Sequence, residues 1–401
     1  MPAVALFSIF CLVPSAGAGI KLTPVVNASL LGGKYYLGSD AASFNGRLDL
    51  LLSPALNLGE NHDLIPLYSW NYSGTQDIQE LAGGGVLTRQ RQAHSLSLRY
   101  VYTRDFDKYK PRFSYSKALV QETKDEDWGD GLFDYGTLSF GLEAEQERPN
   151  GTFTESYDYY VVEYPNYSTL LSQSGTVIDT TTFNELSSNA GTNTMDNASH
   201  RLALGYTWFP EPLVMRAGYD LTYRTYGDQA VISEPAAGLP YFSSDKRSDM
   251  IHNLSFTATR TLKPLQLSAK LRGGWLSSNQ NSYDSSRTTY IDDYYSYTEV
   301  GFAPAMSLAL RDGIQFSLAL DWRRLAYLGR LCQNAAGAYS ASKIHQTLWL
   351  SSLSARYPVY KKLFARAVYN YQVSSSNMRY EAGYRYNYRA STYLLGVEWE
   401  F

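Results

Sequence analysis

Charged side chains in this sequence recur at every second position between large apolar ones, which puts them on one face of an extended strand. Glu143 and Glu145 flank Ala144, Lys270 and Arg272 flank Leu271, and Asp321 and Arg323 flank Trp322. Arg216, Asp220 and Arg224 share one parity, and Arg47, Asp49, Arg99, Arg112, Arg201, Glu299, Arg366, Glu398 and Glu400 obey the same rule. Ions of both signs lining a wet interior can steer or select charged solutes. Arg216, Arg224, Lys270, Arg272, Arg323 and Arg366 fall on alternate strands and predict a basic wall favouring anions. Glu143 and Glu145 fall elsewhere on the circumference, near a short turn. A second reading, compatible with the first, is that a barrel interior must be polar and its acids and bases pair to brace the wall. Asp321 and Arg323, two residues apart, are close enough to pair. Arg216 and Asp220, four apart, are separated by roughly 13 Å and need partners on neighbouring strands.

Catalysis has no comparable support. The five histidines, His62, His94, His200, His252 and His345, lack metal-ligand spacing, and there is no GxSxG elbow, P-loop or HExxH. His94 and Ser95 point to opposite faces of a strand and cannot act as base and nucleophile. Asp125, Asp127 and Asp130 partly resemble a calcium loop, but Gly136 stands where the closing glutamate belongs, so a solvated acidic loop is the simpler reading. Cys332 lies in GRLCQNAAGA, which reads as a surface loop with nothing to activate a thiol. No enzyme activity, metal or cofactor is expected.

The elements that position these charges are strands. Ile314, Phe316, Leu318, Leu320 and Trp322 alternate with Gln315, Ser317, Ala319, Asp321 and Arg323, and similar runs recur from Leu48 onward. Short turn-forming stretches (LNLGENHD, TRDFDKYK, QERPNG, FPEP, TLKP, RDG and YPVYKK) separate pairs of runs. Longer polar stretches fall between them: Thr75 to Arg91, Glu122 to Tyr135, Tyr164 to Asn197, Tyr226 to Ser248, Ser277 to Asp293 and Tyr327 to Ser342. Trp208, Trp275, Trp322, Trp349 and Trp399 sit near strand ends, where interfacial girdles belong. Short turns on one side and long loops on the other predict an all-β transmembrane up-and-down barrel of about 16 strands. Pro66 weakens the run from Asp63 to Ser73; without it and its neighbour the count is about 14. Thr75 to Ala82 is a candidate short helix, either folded into the pore or lying on the surface.

Composition agrees. The chain has 401 residues, 35 tyrosines, two cysteines and a formal net charge of −3, with no basic run suited to nucleic acid. Its mean hydropathy is −0.31, and beyond the N-terminus nothing approaches the ~20 apolar residues of a membrane helix. Residues 1–18 read as a signal peptide, with an apolar core from Ala3 to Val13, Pro14, and Ala16-Gly17-Ala18 before the cut, although no Lys or Arg precedes the core. Residues 19–401 then form the barrel.

At the C-terminus Tyr393, Leu395, Val397, Trp399 and Phe401 alternate with Thr392, Leu394, Gly396, Glu398 and Glu400. This resembles the terminal signal strand of bacterial outer-membrane β-barrels, which implies recognition by the barrel-assembly machinery and export through the periplasm to the outer membrane. Tyr384, Tyr386 and Tyr388 occupy the other parity and predict a bulge near Ala390. The function expected is a porin-like channel for small hydrophilic, possibly anionic, solutes. The alternative is a structural barrel holding a periplasmic or secreted partner of an export or electron-transfer complex.

Overall fold

The computed structural model describes residues 21–401 except 39–41, 80–85, 122–125, 168–192, 234–240, 285–288 and 382–384. The signal segment, 1–18, lies outside the described residues.

Sixteen antiparallel strands make the wall. They are β1 (Val26–Leu37), β2 (Ser43–Leu52, resumed as Ala55–Gly59), β3 (His62–Gln79), β4 (Val86–Arg104), β5 (Asp107–Gln121), β6 (Tyr135–Arg148), β7 (Gly151–Glu163) and β8 (Asn197–Trp208). The second half continues with β9 (Leu213–Ser233), β10 (Tyr241–Leu262), β11 (Leu265–Ser278), β12 (Tyr297–Ala309), β13 (Gln315–Gln333), β14 (Tyr339–Tyr360), β15 (Leu363–Ser376) and β16 (Tyr388–Glu400). Each strand pairs with the next, and β1 pairs with β16 from Asn27↔Glu400 to Leu37↔Ala390, so the sheet closes without an edge. At the seam, Val26 N donates to Phe401 O at 3.0 Å and Phe401 N to Val26 O at 2.8 Å. A short strand, Lys21–Thr23, pairs with the lower part of β2.

All seven short turns stand where the turn chemistry places them, from Glu60-Asn61 to Lys361-Lys362. The opposite end carries the long connections. Two further connections at that end, 38–42 and 377–387, are additional to the six read from sequence.

Pro66 does not break β3. It pairs with Leu98 on β4, and on its other side it faces the gap where β2 is interrupted between Leu52 and Ala55, so no ladder bond is lost there. The strand count is therefore sixteen.

Three expectations are corrected. The candidate helix is absent over its described part, because β3 runs as strand through Gln79. The bulge near Ala390 is also absent: β15 and β16 pair without a shift through Gln372↔Ala390 and Ser374↔Tyr388. The Tyr388 hydroxyl accepts a hydrogen bond from Gln372 at 2.6 Å, and Tyr386 belongs to the preceding loop. Finally, Cys332 is not in a surface loop. It is buried on β13 beside Ile344 and Met378, with its Sγ donating to Asn377 O at 3.0 Å.

The apolar parity faces out. Leu30, Phe140, Leu271 and Leu395 are 57, 53, 54 and 69% exposed, values that only a lipid-facing wall makes sense of. What burial there is lies among polar side chains inside and near the loop end, not in a conventional core.

A charged lumen as the candidate functional site

The opposite parity faces the lumen, and its charges are organised by register. On β5, Lys108, Lys110 and Arg112 alternate with outward Tyr109, Pro111 and Phe113; β6 sets Glu145, Glu143 and Gly141 opposite them. An ion-pair ladder results. Lys108 binds Glu147 at 3.0 Å and Glu145 at 3.3 Å, Lys110 binds Glu143 at 2.9 Å and also Glu145, and Arg112 binds Glu143 at 2.9 Å.

Arg112 then reaches past β6 to Asp158 on β7, 2.6 Å away. The intervening residue is Gly141, where a Cβ would stand 2.0 Å from the Asp158 carboxylate. The same device recurs at Gly301, which lies between Arg272 on β11 and Arg323 on β13. A Cβ at Gly301 would stand 2.8 Å from Arg272, whose guanidinium crosses to Asp321 at 2.5 Å. Arg323 holds the other oxygen of Asp321 at 3.3 Å. Pairs that span two strand spacings lie on the concave face of a closed sheet, where side chains converge.

A second cluster stands on the opposite wall near the short turns. Arg356 meets Glu398 at 3.3 Å and Glu400 at 2.6 Å, and Arg366 meets Glu398 at 3.1 Å. These residues border a cavity of about 260 Å³ together with Gln315, Ser317 and Ser354. Arg47 and Asp49 pair on β2, with Asn71 donating to the same carboxylate. Asp220 takes its partner from the neighbouring strand, Arg201.

The six basic residues read as one wall are thus at different heights and in different states. Arg366 is close to the short turns and Arg224 close to the loop end. Arg272, Arg323 and Arg366 are ion-paired, and Arg224 lies beside Tyr160 and Tyr226. Among the described residues, Arg216 and Lys270 have no ion pair, and neither does Arg99 on β4. Arg99 borders a cavity of about 410 Å³ with Arg112, Arg201, Ser139 and Tyr160. Among the inward acids at this level, Glu299 lacks an ion pair within the described residues. It lies with Lys270 beside another cavity, of about 290 Å³, bordered also by Asp220 and Arg272.

At the loop end the lumen is lined by tyrosine and arginine. Arg247 lies over Tyr226 and Tyr295, 4.6 and 4.3 Å from the ring centres, and binds the buried Asp249 at 3.0 Å. Arg330 lies similarly over Tyr294 and Tyr327. The loop carboxyl of Asp134 is buried and its pKa is pushed up from the ordinary aspartate value by desolvation, although Val120 N donates to it at 2.6 Å.

Lys108, Lys110, Asp158, Arg247, Asp249 and Arg356 were not singled out from sequence. The first two sat inside a stretch read wholly as turn, yet their alternation with Tyr109 and Pro111 marks them as inward. No group of His, Cys, Asp and Glu suited to a metal occurs among the described residues; Asp125 lies outside them.

A closed antiparallel sheet, apolar outside and ionic inside, with short turns at one end and long loops at the other, defines a transmembrane β-barrel of the bacterial outer-membrane type. No protein-family model matches the chain, and no curated protein matches it. Solved structures of similar shape include the in-vitro folded outer-membrane protein OmpT of Vibrio cholerae, 11% identical, covering 96% of this chain and 100% of that one, with a TM-score of 0.48. OpdK, an outer-membrane protein of Pseudomonas aeruginosa, is 8% identical and covers 94% and 99% at a TM-score of 0.44. An anion-selective porin from Comamonas acidovorans is 10% identical and covers 95% and 100% at 0.43. The likeness is one of overall shape.

Proposed function

We propose that the barrel is a non-catalytic diffusion channel for small hydrophilic solutes, with a preference for anions. The observation that carries this reading is the imbalance among unpaired lumenal charges. Arg99, Arg216 and Lys270 have no ion pair among the described residues, against Glu299 alone of the acids at that level. Paired charges brace the wall and contribute mainly short-range dipoles. Unpaired ones set the sign of the field felt by a permeating ion, and low-dielectric walls focus that field. Lumenal hydroxyls and amides, such as Ser139, Tyr160 and Asn253, offer a permeant exchangeable hydrogen bonds without a tight site.

Swelling of liposomes containing the refolded protein tests this directly. Small sugars and dicarboxylates should enter, dicarboxylates faster than diamines of equal size. A folded barrel that admits none of them would contradict the proposal.

A further inference from the structure

All five histidines have the outward parity, and four repeat one geometry. His62 does so at the short-turn end, its Nδ1 2.6 Å from the Tyr100 hydroxyl and its ring stacked on Tyr102. The other three do so toward the loop end. His94 stands opposite Trp70, His200 opposite Tyr159 and His252 opposite Trp275, each pair in direct register on adjacent strands. In each case Nδ1 meets the hydroxyl of a tyrosine on an adjacent strand. The distances are 2.9 Å for Tyr68 and His94, 2.7 Å for Tyr157 and His200, and 2.8 Å for Tyr219 and His252. The ring planes of His94 and Trp70 are 7° apart and those of His252 and Trp275 are 14° apart, so aromatic neighbours hold the imidazoles flat against the wall.

A phenol is a stronger proton donor than an imidazole N–H. Tyrosine therefore donates to Nδ1, and the imidazole proton is left on Nε2. Among the described residues none of the three makes a hydrogen bond through Nε2, so each presents an outward N–H donor. In a lipid-facing wall such a donor is costly unless headgroup oxygens satisfy it.

The height fits. His94 is ten residues above Arg104, His200 eight above Trp208 and His252 ten above Leu262, all counted from the short-turn ends of their strands. At ~3.3 Å per residue and a tilt of ~40°, that is about 20–25 Å, the upper boundary of the apolar band. Three exposed cations face outward at the same level: Lys34, Lys117 and Arg324. None is in an ion pair among the described residues. Outward donors and three cations at this level, against one exposed outward acid, Glu163, in the row of Lys117 through Gly136, complement an anion.

We propose that this collar docks the phosphate-bearing headgroups of outer-leaflet glycolipid. The histidines donate to phosphate and sugar oxygens, and Lys117, beside His94, supplies charge.

The test uses the refolded full chain in detergent, with bound lipid counted by native mass spectrometry. Probes are a bis-phosphorylated acyl-glucosamine disaccharide lipid, its dephosphorylated form and phosphatidylglycerol. The bis-phosphorylated lipid should be retained about tenfold better than either of the others. The variant His94→Phe/His200→Phe/His252→Phe keeps the stacking and should lose most of that retention while still migrating as a folded, heat-modifiable barrel. Should that variant fail to fold, Lys117→Gln/Arg324→Gln, which leaves every aromatic contact in place, carries the test. Equal retention of the three lipids would overturn the proposal. So would a folded variant that retains the phosphorylated lipid undiminished.

Discussion

Arg112 reaches Asp158 across an intervening strand, 2.6 Å from guanidinium to carboxylate, because the residue between them is Gly141. Asp158 is only 5% exposed, and Arg112 is its ion-pair partner among the described residues. In Gly141→Ala the added methyl would occupy the space of the carboxylate oxygen, 2.0 Å away. Breaking a buried pair while leaving one charge behind costs of the order of 3 kcal/mol. Urea unfolding in lipid should show a loss of that size. Gly273→Ala, whose Cβ meets nothing within 4 Å, should fall within about 0.5 kcal/mol of the parent.

The Asp321 clamp predicts non-additive behaviour. Arg272→Gln leaves Arg323 on the carboxylate, and Arg323→Gln leaves Arg272, so each single change should be mild. The double variant strands Asp321 and makes that sector of the lumen acidic. Its stability loss should exceed the sum of the singles by about 1 kcal/mol or more, as a double-mutant cycle would measure.

Asp134 predicts a pH dependence outside the membrane. Its carboxyl is raised by burial, so its contribution to stability is present below the ordinary carboxylate range and is lost as pH rises through the raised value. Asp134→Asn keeps an acceptor for Val120 N and removes the buried charge. Hydrogen exchange at the Val120 amide should be slower in the variant at pH 7. As pH falls and the carboxyl takes up its proton, the two proteins should converge.

Phe401 closes the seam through reciprocal hydrogen bonds with Val26. Deleting it removes two backbone bonds, about 1–2 kcal/mol in refolded protein. We expect a larger loss of folded barrel in cells than in refolding, measured by heat-modifiable migration, if the terminal aromatic is also read by the assembly machinery. Equal losses would confine its role to the seam.

Strand number, turn positions and facing were legible because each rests on a local signal. Leu265-Gln266-Leu267-Ser268 shows its two faces within four residues, and Asp312-Gly313 marks its own turn. Strand length was not. β10 begins at Tyr241 and β13 runs to Gln333, well into stretches read as loop. Above the membrane both faces meet water or packed loops, and the alternation fades. Pairing was legible only within one strand, as for Asp321 and Arg323. Arg112 with Asp158 and Arg356 with Glu398 depend on cross-strand register, and in the first case on a glycine whose importance shows only once its neighbours are known.

The most direct test of the channel is the zero-current potential of the refolded barrel in a planar bilayer under a salt gradient, for the parent and for Arg99→Gln/Arg216→Gln/Lys270→Gln. The parent should conduct with an anion-favouring potential, and the triple variant should conduct with that potential moved to zero or reversed. A folded parent that conducts nothing, or a triple variant with unchanged selectivity, would contradict the account.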